Sequence, residues 1–180
     1  MNRIVFLSFS LLLAACAANQ VTVPTKPALQ LFEPLPDAEE KKTLRGLLQK
    51  NQLTQDTTFA WYALNGKFLK PDPTVVATIA AHANKVQLVL FVGTWCHDSQ
   101  QLLPKYFKTL EAANFPEGQL TIFGVDRAKT TIGGMHNVFG VQNVPTLIVM
   151  QAGKELGRIV EYGTTGMVDK ELAELVSRAK

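Results

Sequence analysis

An α/β fold, with a central mixed sheet flanked by helices, is predicted by three features of the sequence. Two short continuous apolar runs, Val86 to Val92 and Leu120 to Val125, suit strands buried on both faces. Between them, Cys96 to Ala113 places apolar residues at helical spacing, which makes a strand–helix–strand unit with parallel pairing. Thr146 to Met150 and Glu155 to Glu161 are two further strands joined by Gln151-Ala152-Gly153-Lys154, a hairpin turn and so an antiparallel edge pair.

The elements follow in chain order. Met1-Asn2-Arg3 is a short positive start, and Ile4 to Leu13 is an apolar run broken only by serines. That run is too short for a membrane-spanning helix and has the layout of a secretory signal over residues 1–15. Leu13-Ala14-Ala15-Cys16 resembles the bacterial lipobox, which implies cleavage before Cys16 and lipidation of its thiol. Residues 16–36 hold four prolines and no helical period, and read as a linker from the lipid anchor.

Residues 37–84 are expected to form an N-terminal extension, mainly helical, packed on the domain of residues 85–180. Asp37 suits an N-cap, with Glu39 and Glu40 in a first turn, and the helix is expected to run to about Lys50 with Leu44, Leu47 and Leu48 as its stripe. Phe59 to Leu64 is aromatic enough for a strand, closed by the turn signal Asn65-Gly66. Pro73 opens a helix through Asn84. Pro104 should kink the helix from Cys96, and Thr130 to Phe139 reads as a weak helix or loop. Met167 to Ala179 is an amphipathic helix with Val168, Leu172 and Leu175 facing inward.

Composition narrows the function. The chain has 180 residues, 47% hydrophobic, enough for one core. Removing Arg3 with the signal leaves 17 Lys and Arg against 15 acidic residues, a balance that suits no nucleic-acid partner. Gly133-Gly134 lacks the Lys-Ser/Thr of a phosphate loop, and no other cofactor motif occurs. His82, His97 and His136 with Cys96 have no metal-ligand spacing, so no metal is expected. With Cys16 lipidated, Cys96 is the one remaining thiol, and no internal disulfide can form.

Residues 86 to 180 resemble a thioredoxin-fold domain. Trp95-Cys96 stands at the strand-to-helix junction, Pro104 follows eight residues on, Val144-Pro145-Thr146 precedes an apolar strand, and Gly153 and Gly163 mark the later turns. Trp95-Cys96-His97-Asp98-Ser99 is more narrowly similar to a motif of exported bacterial thioredoxin-like proteins. The resemblance implies a cis Val144–Pro145 bond, with Val144 and Pro145 facing Cys96 and binding an extended substrate peptide, and Trp95 as an apolar contact surface. It also implies two losses: Ser99 stands where the resolving cysteine would be, and Leu90 where the family buries an acid.

From the residues alone, a thiol at a helix N-terminus meets unsatisfied N–H groups and the positive end of the dipole, which favour thiolate. The Ser99 hydroxyl, one turn on, is expected to donate to that sulfur. His97 adds positive charge when protonated, and Asp98 opposes it. A mixed disulfide at Cys96 then needs an external thiol for release. The expected partners are cysteine-containing proteins or small thiols and disulfides, a thiol reductant, and the membrane of the bacterial envelope, the outer membrane in a Gram-negative cell because Ala17 follows Cys16. The competing reading is a non-redox peptide- or protein-binding module on the same scaffold. A peroxide-reactive thiol is disfavoured, because Thr94 lies two residues before Cys96 rather than the three of peroxiredoxins.

Overall fold

The computed structural model describes residues 31–180. The expected signal segment, the lipidation of Cys16 and the linker as far as residue 30 lie outside the described residues. The strands are β1 (Phe32–Asp37), β2 (Lys41–Leu48), β3 (Gln87–Val92), β4 (Leu120–Gly124), β5 (Thr146–Gln151) and β6 (Lys154–Val160). The helices are α1 (Lys50–Thr54), α2 (Trp61–Gly66), α3 (Pro73–His82), α4 (His97–Ala112), α5 (Met135–Val138) and α6 (Val168–Ser177). The described residues form a six-stranded sheet in the order β1-β2-β4-β3-β5-β6. The β3–β4 pair is parallel and the other neighbours are antiparallel. Among the described residues no helix is long and apolar enough to cross a membrane.

β3 is the centre of this arrangement because its apolar run serves two cores at once. Leu88, Leu90 and Val92 enter the larger core under α3, α4 and α6, while Val89 and Phe91 enter a smaller one on the opposite face with Val125, Val144 and Ile148. Side chains alternate along a strand, so an unbroken apolar run is what two-sided burial requires. Each fully buried Leu, Val or Phe contributes about 1.5–3 kcal/mol. Trp95 and Cys96 pack against the smaller core, so the candidate site sits on one edge of that face.

The extension differs from its expected form. The helix expected from Asp37 to Lys50 is instead the turn and second strand of a β-hairpin. Asp37 Oδ1 accepts from the N–H groups of Glu39 and Glu40, each at 3.0 Å, so the side chain that suited an N-cap closes the hairpin turn. Leu44 and Leu48 are buried and Leu47 is exposed, the alternation of a strand. Residues 32–36, expected as the end of the linker, form edge strand β1, where Pro34 and Pro36 are exposed; an edge tolerates the missing N–H. The strand expected over Phe59 to Leu64 is a short 3-10 turn followed by α2, with Phe59, Trp61 and Tyr62 packed in or against the larger core. The helical part of the extension is therefore α1 to α3.

Two glycines let the hairpin join the sheet. Gly46 of β2 faces Gly124 of β4, a Cβ at Gly124 would stand 2.3 Å from the Leu44 carbonyl oxygen, and one at Gly46 2.2 Å from that of Leu31. Gly46 also has φ +107°, where a side chain is strained. Gly124→Ala is expected to lower stability by about 1–3 kcal/mol, because the atom it meets is backbone and cannot rotate away. A urea midpoint equal to that of the unsubstituted protein would show that the hairpin can shift to admit the methyl.

Candidate active site

The site grows out of the turn between β3 and α4, which is held by a set of hydrogen bonds. Cys96 N–H donates to the Gly93 carbonyl at 2.9 Å, and the Cys96 carbonyl accepts from Gln100 N–H at 3.0 Å. The Thr94 hydroxyl accepts from Leu44 N–H at 3.2 Å, and the Thr94 carbonyl accepts from Gln100 Nε2 at 2.9 Å. Gly93 is required because a Cβ there would come within 2.8 Å of the Trp95 ring. Pro104 lies inside α4 and has no N–H to offer the Gln100 carbonyl four residues back. Asn65 Nδ2, from α2, donates to that carbonyl at 3.1 Å instead.

Cys96 is the N-cap of α4, in extended backbone, with a half-buried side chain. Its Sγ donates to the Val144 carbonyl oxygen at 3.1 Å. The Val144–Pro145 peptide bond is cis. This loop is fixed from behind, since the Thr146 hydroxyl donates to the Asn143 carbonyl at 2.7 Å and Lys129 Nζ to Asn143 Oδ1 at 3.0 Å. Cys96, Val144 and Pro145 are thus brought together.

Ser99 is placed differently from the expectation. Its side chain is fully buried, and its hydroxyl accepts from Gly93 N–H at 3.2 Å and makes no hydrogen bond to Cys96. The N-cap residue points out of the first turn, whereas the third helical residue lies beneath it, facing the end of β3. Leu90 is fully buried in the larger core.

Trp95 is half-buried, with its indole Nε1 donating to the Val125 carbonyl at 3.0 Å. The Arg127 guanidinium stands over the ring, 5.4 Å from its centre. Arg127 in turn donates two 2.8 Å hydrogen bonds to Asp37 and one of 3.0 Å to Glu39, so the hairpin of the extension is tied to the residue beside the thiol. That guanidinium, helped by the Glu40, Glu39 and Thr43 donors and opposed by burial, holds the Asp37 carboxyl far below the usual range. His97 is exposed and Asp98 half-buried. The exposed Tyr162 phenol has its pKa raised, first by burial of part of its ring and then by the nearby Asp98 and Cys96.

The three histidines stay apart. His82 Nδ1 lies 2.9 Å from the Thr78 carbonyl at the end of α3, and His136 Nδ1 accepts from Thr131 N–H at 3.2 Å. Among the described residues no three His, Cys, Asp or Glu side chains converge as metal ligands.

A thioredoxin family model matches residues 74–175, more than half of the chain. The chain belongs to the thioredoxin family. Similar solved structures include the thioredoxin of Fasciola hepatica, with 22% identity, 57% of this chain and 88% of that one covered, and a TM-score of 0.41. The thioredoxin of Trypanosoma brucei brucei has 22% identity over 51% of this chain and 75% of that one, with a TM-score of 0.36. A Pseudomonas aeruginosa protein of unknown function has 16% identity over 66% and 76%, with a TM-score of 0.42. Comparison with curated proteins finds no match.

Sequence reasoning did not find Asp37, Arg127, Gln100, Asn65 or Tyr162 as neighbours of the thioredoxin-type site. One signal was available: a proline inside α4 frees the carbonyl four residues earlier, and that carbonyl needs a donor from elsewhere. Gln100 reaches back six residues to Thr94, and Asp37, Arg127 and Tyr162 come from pairs far apart in the chain.

Two outcomes are expected here. Ser99→Ala leaves the buried Gly93 N–H unpaired and should cost about 1–3 kcal/mol of stability, measured by urea unfolding. The rate at which Cys96 reacts with a model disulfide should stay within about two-fold, since the lost bond is worth its energy to the fold and not to the sulfur. Stability should also depend on acid. Asp37 and Asp56 have folded pKa values below their unfolded ones, through Arg127 and through Lys42 respectively. Their stabilisation is complete above the unfolded value of about 3.9 and lost as pH falls below it. The urea midpoint should therefore hold from neutral pH to about 5 and drop below about 4, and less steeply in Asp37→Asn.

Proposed function

We propose that this thioredoxin-family protein carries out thiol–disulfide exchange with Cys96 as its single reactive thiol. The observation that carries the reading is the contact of Cys96 Sγ with the Val144 carbonyl at 3.1 Å. It sets the thiol of the α4 N-cap residue against the Val144-Pro145 loop, where an extended chain bearing a disulfide can lie alongside the sulfur. Cys96, as thiolate, attacks one sulfur of a substrate disulfide, forms a Cys96 mixed disulfide and expels the other half as a thiolate. No second thiol stands in the domain, since the other cysteine of the chain is Cys16. An external thiolate therefore attacks the mixed disulfide, regenerates the Cys96 thiolate and leaves with the substrate half.

The substrates are cysteine-containing proteins or small disulfides, including glutathione mixed disulfides. Trp95, next to Cys96 in the chain, supplies apolar contact. Lipidation at Cys16 tethers the domain to the bacterial envelope, facing the periplasm, on the outer membrane in a Gram-negative cell.

Incubation with glutathione disulfide should add one glutathione, mapped to Cys96 by mass spectrometry and absent in Cys96→Ser. The adduct should persist until a thiol is added, and leave at a rate proportional to that thiol. No adduct at Cys96, together with partner capture that survives Cys96→Ala, would establish a binding module instead.

A further inference from the structure

We infer that the face formed by Leu64, Phe68 and the surrounding lysines docks on an anionic phospholipid bilayer. Phe68 is 83% exposed and Leu64 69%, high values for side chains of this size where the other leucines among the described residues lie mostly inside. The backbone stays helical from α2 through Lys67, so residues 64 and 68 lie one turn apart on the same side. Neither serves the site at Cys96, and both precede the residues matched by the family model.

Lysines outnumber acids around this pair. Lys67 Nζ stands 5.2 Å from the centre of the Phe68 ring. Lys70, Lys105 and Lys108 line one crevice beside it, with Asp169 as the sole acidic residue there. Lys105 is paired with Asp169 at 2.8 Å, and Lys108 donates to the Gly66 carbonyl at 2.5 Å. Lys67 and Lys70 are exposed and form no ion pair among the described residues. Two protruding apolar side chains suit the acyl boundary of a bilayer. The exposed Lys67 and Lys70, without a carboxylate partner among the described residues, suit its phosphates. The tether proposed at Cys16 would bring the same membrane within reach, and the chemistry at Cys96 plays no part.

The test uses the full-length protein incorporated into vesicles through its N-terminal segment, with Phe68→Trp as the reporter. The readout is quenching of residue 68 by lipids brominated on their acyl chains, with the unsubstituted protein giving the background from Trp61 and Trp95. In vesicles half phosphatidylglycerol, quenching should exceed background about two-fold or more, and adding Lys67→Glu and Lys70→Glu should remove most of the excess. Background quenching in protein that is vesicle-bound would overturn the docking while leaving the tether intact. Failure to attach to any vesicle would overturn both. Equal quenching in phosphatidylcholine vesicles, or its abolition by millimolar inorganic phosphate alone, would overturn the assignment to an anionic bilayer, the second by making the lysine crevice a free-phosphate site.

Discussion

A strand buried on both faces must deliver its end to the surface without leaving a backbone group unpaired, and the site depends on how β3 meets that requirement. Beyond Val92 the chain turns sharply under two cores, where an orphaned N–H or C=O costs about 1–3 kcal/mol. The Ser99 hydroxyl takes Gly93 N–H, Gln100 takes the Thr94 carbonyl, and the Thr94 hydroxyl takes Leu44 N–H. Those hydrogen bonds fix the turn, and they leave the half-buried Cys96 thiol beside the Val144 carbonyl. Preorganisation of the thiol is thus a by-product of satisfying a buried turn.

The N-terminal extension belongs to this network as much as the thioredoxin domain does. Leu44 reaches the turn from β2, Asn65 supplies the donor that Pro104 withholds from Gln100, and Asp37 holds Arg127 over the Trp95 ring. Three contacts from three elements converge within a few residues of the sulfur. Loosening the hairpin would therefore be felt at Trp95 first, because Arg127 is held by Asp37 and Glu39 and stacks on that ring.

From Val86 onward the elements were legible in the sequence because their periods were unambiguous: β3 and β4 were continuous apolar runs, and α4 and α6 had helical stripes. The hairpin was not. Leu44 and Leu48 are four residues apart, a spacing that shares a face both on a helix and on a strand, and Asp37 can close a hairpin turn with the same hydrogen bonds it would use as an N-cap. The discriminating residues were Gly46, poor inside a helix, and Leu47, which a helix would have buried. At the site, Trp95, Cys96, Val144 and Pro145 were legible from their order along the chain. The direction of the Ser99 hydroxyl was not, because it depends on which side of the first turn faces β3.

That direction also bears on why position 90 carries leucine. Leu90 lies in the larger core with Leu88, Val92, Leu102 and Leu103, fully removed from water. A carboxylate there would cost several kcal/mol unless a partner used its charge. With serine at 99 and its hydroxyl committed to Gly93, there is no thiol beneath the turn to be deprotonated. The acid would bring the cost of burial and nothing else. Leucine at 90 and serine at 99 are in this sense one arrangement: the interior beneath the turn is built for packing and hydrogen bonding.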